Sequence, residues 1–272
     1  MDISVVTIVK QRQNALYNLI KGIKHSTHLP AELIIVHMNE PIYQVPKLPI
    51  PIRQITCSAE GHLPLAEARN LAMRSASSEY VVFLDVDCIP SNNLIGIYKN
   101  AFLDRDILWS GRVRYLDEAA MRHVSLWERM HGLSNPDPIR EHLESFSYEL
   151  FWSLNFGCSK RIFDTIGGFD ENFSGYGAED TDFSFSARAA GVCSGTSNAM
   201  AYHQHHPNYS PPLNHFADII RNAEQFRKKW GTWPMEGWLN QFEDMQLLIR
   251  GDDQLQVIRY PDRSEIAAAM RS

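Results

Sequence analysis

Residues 79–91 read EYVVFLDVDCIPS, an apolar run that ends in two aspartates separated by one valine. A run of β-branched and aromatic residues between polar ones is typical of a buried strand. In open α/β sheets, ligands bind beyond the carboxyl ends of the strands. Because alternate side chains of an extended chain point the same way, Asp85 and Asp87 can both face one site while Val86 faces the core.

Two interpretations of this aspartate pair stay open at this point. Carboxylate oxygens are the ligands that Mg²⁺ and Mn²⁺ prefer, especially beside a substrate phosphate. Alternatively, the two residues are turn or capping carboxylates before a helix that we expect from Ser91 to Phe102, with Ser91 as its N-cap. The D-x-D spacing occurs often by chance, so it does not decide between them.

The pattern upstream of the pair predicts a parallel sheet. Residues 3–9 and 32–37 are apolar runs typical of strands, and residues 14–23 between them carry one apolar helical face. Strand, helix, strand in this order is a βαβ unit with a right-handed crossover. A strand over 52–56 and a helix over 65–75 continue it. The fold predicted is α/β, with a mostly parallel Rossmann-like sheet flanked by helices.

Beyond this first half the pattern is less regular. We expect a domain over residues 1–210, with a first half (1–103) typical of nucleotide-binding α/β units and a second half (104–210), followed by a helical extension over 211–272. The chain has 272 residues, 44% of them hydrophobic, which is enough for a large core.

Charge and cysteine usage exclude some partners. A formal net charge of -6 gives no general attraction to nucleic acid or acidic membranes. The four cysteines lie far apart without a CxxC pair, which favours reduced thiols and a cytoplasmic location. No run approaches the roughly 18–20 apolar residues of a membrane span, so we expect no transmembrane segment, while peripheral attachment to a membrane stays open.

A second acidic segment lies at residues 174–191, SGYGAEDTDFSFSARAAG. Glu179 and Asp180 stand at the start of a predicted helix, where acidic residues are stabilised by the helix dipole. That is the structural interpretation. The functional one is that Gly175 and Gly177 let the backbone pass close to a ligand, so that a carboxylate beside the loop can act as a general base.

Taken together, three segments resemble a known family. EARN at 67–70, EYVVFLDVDCIP at 79–90, and NFGCSKRIFDTIGGFDENFSGYGAEDTDFSFSARAAG at 155–191 are similar to nucleotide-sugar glycosyltransferases of the GT-A fold. The likeness is to family 2, with a galactosyltransferase-type C-terminal segment as in β-1,4-galactosyltransferases, polypeptide N-acetylgalactosaminyltransferases and chondroitin-type polymerases. It covers residues 3 to about 205, and it implies that residues 104–210 form the acceptor or catalytic half.

The resemblance implies a role for each matching position. Asp87 would bind the metal, Asp85 would lie near the ribose and the metal shell, Asp180 would be the catalytic base, and Glu179 would contact an acceptor hydroxyl. The positions implied for the nucleotide pocket are Thr7, Arg12 and Arg69, with Asn39 in the place where many relatives carry an acidic residue. Tyr176 would contact the acceptor sugar; Trp152, Phe156 and Trp109 are further candidates for stacking, although core burial is the commoner fate of aromatic residues.

A histidine cluster follows at residues 199–208, AMAYHQHHPN. In an extended chain His203 and His205 share one face and His206 takes the other. A zinc site or a polar surface strand are the alternatives from the residues alone. In the family that the chain resembles, a histidine after the Glu-Asp segment completes the metal shell, which implies His203, with His205 in reserve.

The resemblance implies a metal-dependent, inverting transfer that uses Mn²⁺ or Mg²⁺. A hexose or N-acetylhexosamine would move from a nucleoside diphosphate sugar, with a UDP-sugar as first choice, to a hydroxyl of a saccharide or another acceptor. Two rivals are a nucleotidyltransferase or nucleotide-sugar pyrophosphatase, and a non-catalytic sugar-binding module on the same fold. The rival enzymes usually carry a glycine-rich loop after the first strand, and TIVKQRQN has no glycine.

Overall fold

A computed structural model describes residues 1–271 of the chain. Within them, one nine-stranded sheet has the order β3-β2-β1-β4-β8-β6-β9-β5, and β7 pairs with β6. The strands are β1 (Ile3–Val9), β2 (Glu32–Met38), β3 (Ile52–Cys57), β4 (Tyr80–Leu84), β5 (Cys88–Pro90), β6 (Leu108–Leu116), β7 (Ser134–Pro136), β8 (Asn155–Ser159) and β9 (Ser194–His203). The helices around it are α1 (Gln13–Lys24), α2 (Leu65–Ser75), α3 (Leu94–Asp104), α4 (Glu118–Met121), α5 (Leu126–Leu133), α6 (Lys160–Ile166) and α7 (Glu179–Ala189).

The predicted α/β fold with a mostly parallel sheet is confirmed. Its first half, β3-β2-β1-β4, is entirely parallel, as the βαβ pattern requires. Beyond β4 the sheet is mixed: β4 with β8 and β8 with β6 are antiparallel, whereas β6 with β9 is parallel. The less regular sequence pattern after residue 104 corresponds to this change.

Apolar side chains cover both faces of the central strands, since every residue of β1 and β2 is buried. Val5 and Val9 of β1 pack in the cluster formed with α1 and α3. Val6 and Ile8 point the other way and pack in the cluster formed with α2, α6 and α7. Burial on both faces explains why these strands are uninterrupted β-branched runs rather than alternating ones.

The helix after the aspartate pair begins later than expected. It was predicted from Ser91, but α3 begins at Leu94 with Asn93 as its N-cap residue, and the Ser91 hydroxyl donates to Asn93 Oδ1 instead of capping the helix. The reason is that residues 88–90 form β5 and pair with β9, which keeps the chain extended there. By contrast, α2 has the predicted bounds.

The C-terminal extension is mostly helical, as predicted, but contains two short strand pairs that the sequence pattern did not indicate. Its elements are α8 (Phe216–Trp230), α9 (Glu236–Asp244), α10 (Arg263–Ala269), β11 (Leu248–Arg250) with β12 (Leu255–Val257), and β13 (Met270–Arg271), which pairs with β10 (Asn208–Tyr209) just before the extension. They enclose an apolar cluster of their own. Among the described residues, no helix combines the length and hydropathy needed to cross a membrane.

Candidate active site

Asp85 and Asp87 lie in a tight turn between β4 and β5. The Cys88 N–H donates to the Asp85 carbonyl oxygen at 2.8 Å, so the segment bends instead of continuing as the extended strand that we expected. Val86 is buried in the core, as expected. The two carboxylates still influence one another: burial first and the neighbouring Asp85 second raise the pKa of Asp87 to about 7, against the opposing charge of Arg12.

Strand pairing brings histidines to this turn. In the β5–β9 ladder Cys88 pairs with His203, and the Gln204 N–H donates to the Asp87 carbonyl oxygen at 2.7 Å. Ligand atoms of Asp87, His203 and His206 lie within 4.8 Å of one another. The structure therefore brings His206 into this cluster, rather than the reserve residue His205, because β9 ends at His203 and the alternation of an extended strand ends with it.

Both histidines of the cluster favour the neutral imidazole. Burial, then the neighbouring His206 and Arg12, lower the pKa of His203 to about 3, and burial lowers the pKa of His206. A neutral imidazole nitrogen is the form that ligates a metal. One carboxylate and two imidazoles at this separation are a donor set that fits a divalent cation.

Arg12 lies beside the same cluster, at the start of α1. Its Nη1 is 3.6 Å from Asp87 Oδ2, and its Nη2 is 3.1 Å from His206 Nδ1. The preceding Gln11 has a positive φ of 53°, and its N–H donates to Glu40 Oε2 at 2.6 Å, which holds this turn against the end of β2. Arg12 thus occupies the carboxyl edge of β1, where the sequence placed it.

Glu179 and Arg69 form a buried ion pair between α7 and α2. Arg69 Nη1 donates to Glu179 Oε1 at 2.8 Å, and the Gly177 N–H donates to Oε2 at 3.0 Å. Both carboxylate oxygens of Glu179 therefore have protein partners, and an acceptor hydroxyl would have to share them. This pair joins residues that are 110 positions apart and fixes the start of α7 against α2.

Asp180, the next residue, has a different environment. Burial first and the charge of Glu179 second raise the pKa of Asp180 to about 6, against the opposing effects of Arg69 and the backbone amides of Thr181 and Ser153. A carboxylate with a pKa close to neutral is suited to accept a proton from a substrate.

Tyr176 lies in the second acidic segment, in the loop before α7. Burial first, and then the charges of Glu179, Asp180 and Asp85, raise the pKa of Tyr176. The Asp85 N–H donates to the Leu154 carbonyl oxygen at 2.9 Å, and the neighbouring Ser153 amide faces Asp180. These contacts place the aspartate turn and the predicted base on either side of residues 153–154.

Two predicted nucleotide contacts have other surroundings. Thr7 is fully buried, and its hydroxyl has no hydrogen-bond partner among residues 1–271. The Asn39 side chain holds the loop after β3: its Nδ2 donates to the His62 carbonyl oxygen at 2.8 Å, and its Oδ1 accepts from the Ala59 N–H at 2.8 Å. A nucleoside contact from Asn39 would compete with these bonds.

The three aromatic residues proposed to stack on a sugar have different surroundings. Phe156 is fully buried in the core, and the Trp109 indole donates to the Arg105 carbonyl oxygen at the end of α3. Trp152 precedes Ser153 directly and is half-buried. Sequence reasoning did not select His206 as a candidate ligand, although its position in the HQHH run was a usable signal. The Trp152 ring has the guanidinium of Arg140 4.0 Å from its centre.

Comparison with known sequences identifies two matching profiles. The one described as glycosyl transferase family 2 matches residues 4–167, and the one described as N-terminal domain of galactosyltransferase matches residues 140–201. A chondroitin synthase of Pasteurella multocida (strain Pm70) is 29% identical over 177 residues, which are 53% of this chain and 18% of that protein. A hyaluronan synthase of Pasteurella multocida is 24% identical over 219 residues, 68% of this chain and 22% of that protein. The chain spans about a fifth of the length of these relatives.

Solved structures share the fold at low sequence identity. GalNAc-T7 with UDP, GalNAc and Mn²⁺ has a TM-score of 0.57 and 12% identity, over 90% of this chain and 57% of that one. S. aureus TarS 1–349 in complex with UDP has a TM-score of 0.53 and 14% identity, over 84% of this chain and 66% of that one. These likenesses agree with the predicted GT-A fold. The glycosyl transferase family 2 profile matches more than half of this chain, and the chain therefore belongs to glycosyl transferase family 2.

Proposed function

We propose that this chain transfers a hexose or N-acetylhexosamine from a nucleoside diphosphate sugar to a saccharide hydroxyl, with inversion at the anomeric carbon. The observation that carries the proposal is the arrangement around the end of β4: a carboxylate–imidazole cluster on one side and Asp180 with a raised pKa on the other. The cluster would serve the diphosphate of the donor, and Asp180 would serve the hydroxyl of the acceptor.

A UDP-sugar is the first choice of donor. The structures of TarS and GalNAc-T7 named above contain UDP. The curated relatives are named chondroitin synthase and hyaluronan synthase, which favours a saccharide as the acceptor.

Asp87, His203 and His206 would hold a divalent cation, with Asp85 adjacent to it. When bound, such a cation neutralises negative charge on the departing diphosphate. The two imidazoles favour Mn²⁺ over Mg²⁺, since Mg²⁺ binds almost entirely through oxygen ligands. Arg12, on the same edge, can supply a second positive charge to the phosphates.

Asp180 would act as the general base. As the acceptor oxygen bonds to the anomeric carbon, its proton passes to the Asp180 carboxylate, and the bond from that carbon to the diphosphate oxygen breaks. One base and attack from the side opposite the leaving group give inversion. Glu179, paired with Arg69, would hold Asp180 in place. It would contact the acceptor only through carboxylate oxygens that already accept hydrogen bonds from Arg69 and the Gly177 N–H.

Thermal unfolding with UDP tests the donor and metal assignments. We expect UDP with Mn²⁺ to raise the melting temperature, and UDP with a chelator to raise it much less. His203→Ala and His206→Ala should remove the metal-dependent part of this shift, whereas the adjacent His205→Ala is the matched control and should keep it. Absence of a metal-dependent shift with every nucleoside diphosphate would contradict the proposal.

A donor panel tests the reaction itself. UDP-glucose, UDP-galactose, UDP-glucuronic acid, UDP-GlcNAc and UDP-GalNAc are each incubated with Mn²⁺, with and without chondroitin or hyaluronan oligosaccharides. We expect UDP release with one donor class to increase when an acceptor is present. Release of nucleoside monophosphate instead would indicate a pyrophosphatase.

A further inference from the structure

The loop that carries Tyr176 has an unusual backbone. Gly175, Gly177 and Ala178 have φ values of 78°, 105° and 69°, all in the left-handed region. Glycine adopts this region freely, but a non-glycine residue such as Ala178 is uncommon there and needs support from its surroundings. The contacts that hold this loop therefore also determine where the Tyr176 ring lies.

Those contacts come from α8 in the C-terminal extension. The fully buried Asn222 donates through Nδ2 to the carbonyl oxygens of Gly177 at 2.9 Å and Ser174 at 3.2 Å, and lies 3.4 Å from that of Tyr176. One amide group thus bonds to both sides of the Tyr176 position. A buried amide with three carbonyl partners is replaced poorly by water or by an apolar side chain.

Asp218, one turn earlier on α8, approaches the same loop. Its Oδ2 accepts from the Tyr176 N–H at 3.3 Å, and a Cβ at Gly175 would lie 2.3 Å from that oxygen. Glycine at this position leaves room for the Asp218 carboxylate and adopts the positive φ without strain.

Two aromatic rings of the extension stack on Tyr176 itself. The His215 ring centroid lies 4.4 Å from that of Tyr176 with an interplanar angle of 21°, and the Trp238 ring lies 5.9 Å away at 25°. Both residues are half-buried. Parallel stacking restricts rotation of the Tyr176 ring, which lies in the loop directly before Glu179 and Asp180.

We propose that the C-terminal extension completes the acceptor site: Asn222, Asp218 and His215 are positioning residues that hold Tyr176 for contact with the acceptor sugar. The inference rests on the proposed function for the identity of the ligand, which is a saccharide. A fixed ring binds with a smaller loss of conformational entropy than a mobile one. The extension therefore controls acceptor affinity and leaves donor binding to residues of the sheet edge.

The first measurement needs no substrate. Amide hydrogen exchange of peptides covering residues 172–180 is compared between the wild-type chain, Asn222→Ala, Asp218→Asn and His215→Ala. We expect faster exchange in this loop for Asn222→Ala and Asp218→Asn, with exchange of β1 and β4 unchanged. Lys228→Ala, an exposed position on the same helix, is the matched control and should leave the loop unchanged.

The second measurement separates acceptor binding from donor binding. With the active donor from the panel and chondroitin or hyaluronan oligosaccharides as acceptor, Asn222→Ala and His215→Ala should raise the acceptor KM about tenfold. The Kd for UDP with Mn²⁺ should stay within about twofold of the wild-type value. His215→Phe keeps an aromatic ring and should restore most of the acceptor affinity.

The outcomes are distinct. Unchanged exchange in the loop, or a mobile loop with an unchanged acceptor KM, overturns the inference. An equal loss of UDP affinity also overturns it, because the role would then be general stability. If the wild-type chain binds no UDP and transfers no sugar, the proposed function fails, whereas the exchange data still decide whether the extension holds Tyr176.

Discussion

Asp87 and Asp180 are both carboxylates whose pKa is raised by burial, but their neighbours give them different uses. Asp87 lies beside Arg12 and two imidazoles, and a cation bound there would stabilise its ionised form. Asp180 faces Arg69 and two backbone amides, which leave its oxygens able to accept a proton. The role of each residue is therefore determined by its partners more than by its burial.

Replacement of Asp180 tests the assignment of the base. Asp180→Asn keeps the size of the side chain but removes its ability to accept a proton, so we expect transfer to fall by about 10²–10⁴-fold. The Kd for UDP with Mn²⁺ should change little, because the metal cluster is untouched. Titration of UDP and a transfer assay on the same preparation check both statements, and retained turnover would remove Asp180 from this role.

The pH dependence of transfer follows from the raised pKa of Asp180. The base must be ionised, and its pKa is about 6, so kcat/KM should be level above that pH and fall about tenfold per pH unit below it. The rates are measured from pH 5 to 8 at saturating metal, with UDP binding recorded at each pH as the control. A profile that stays level down to pH 5 would contradict the assignment.

At the scale of elements, the segment between β6 and β8 is organised by a buried ion pair. Arg140 Nε donates to Asp137 Oδ2 at 2.8 Å, and both residues are almost fully buried. The Arg140 guanidinium lies 4.0 Å from the centre of the Trp152 ring, and the next residue, Ser153, faces Asp180. The pair thus supports a connection that borders the active site.

Removal of one partner from this pair should be costly. Arg140→Met leaves the Asp137 carboxylate buried without its cation, and we expect a loss of about 3–5 kcal/mol in the free energy of unfolding. The double variant Asp137→Asn with Arg140→Met leaves no charge and should lose clearly less. Urea unfolding measures both.

An exposed pair provides the control. Arg122 and Glu118 form a similar local ion pair on the surface, so Arg122→Met should change stability by less than about 1 kcal/mol. A single Arg140 variant as stable as the double variant would show that the buried charge is compensated elsewhere.

At the scale of the whole molecule, the end of α8 fastens the extension to α7, which packs against the sheet. The fully buried Asp182 of α7 accepts from Trp230 Nε1 at 2.7 Å and pairs with Lys229 Nζ at 2.9 Å, and Lys229 also reaches Asp170. We propose that residues 1–103 bind the nucleotide, residues 104–210 carry the acceptor and catalytic groups, and the extension from residue 211 supports them.

Asp182→Ala should loosen this connection. It leaves the Trp230 indole N–H and one contact of Lys229 without a partner, so we expect a loss of about 2–4 kcal/mol in the free energy of unfolding. Asp253→Ala is the control, because the ion pair of Asp253 with Arg227 is largely exposed. Equal stability of the two variants, measured by urea unfolding, would show that Asp182 does not anchor the extension.

Much of the fold could be predicted because its signals are local. Periodicity identified β1, β2, α1 and α2 within a few residues, since burial of a strand or helix face depends on spacing along the chain. The start of α3 was not predictable in this way, because β5 forms only through its pairing with β9, more than a hundred residues later.

By itself the sequence determined the α/β class, the position of the aspartate pair at a strand end, and the acidic start of α7, all of which depend on residues close together in the chain. Only the tertiary structure decided the partners. Glu179 pairs with Arg69 across 110 positions, His206 rather than His205 joins Asp87, and Asn222 holds the Tyr176 loop. Such contacts form where distant elements pack, and that packing is set by the free energy of the whole chain, which no short pattern contains.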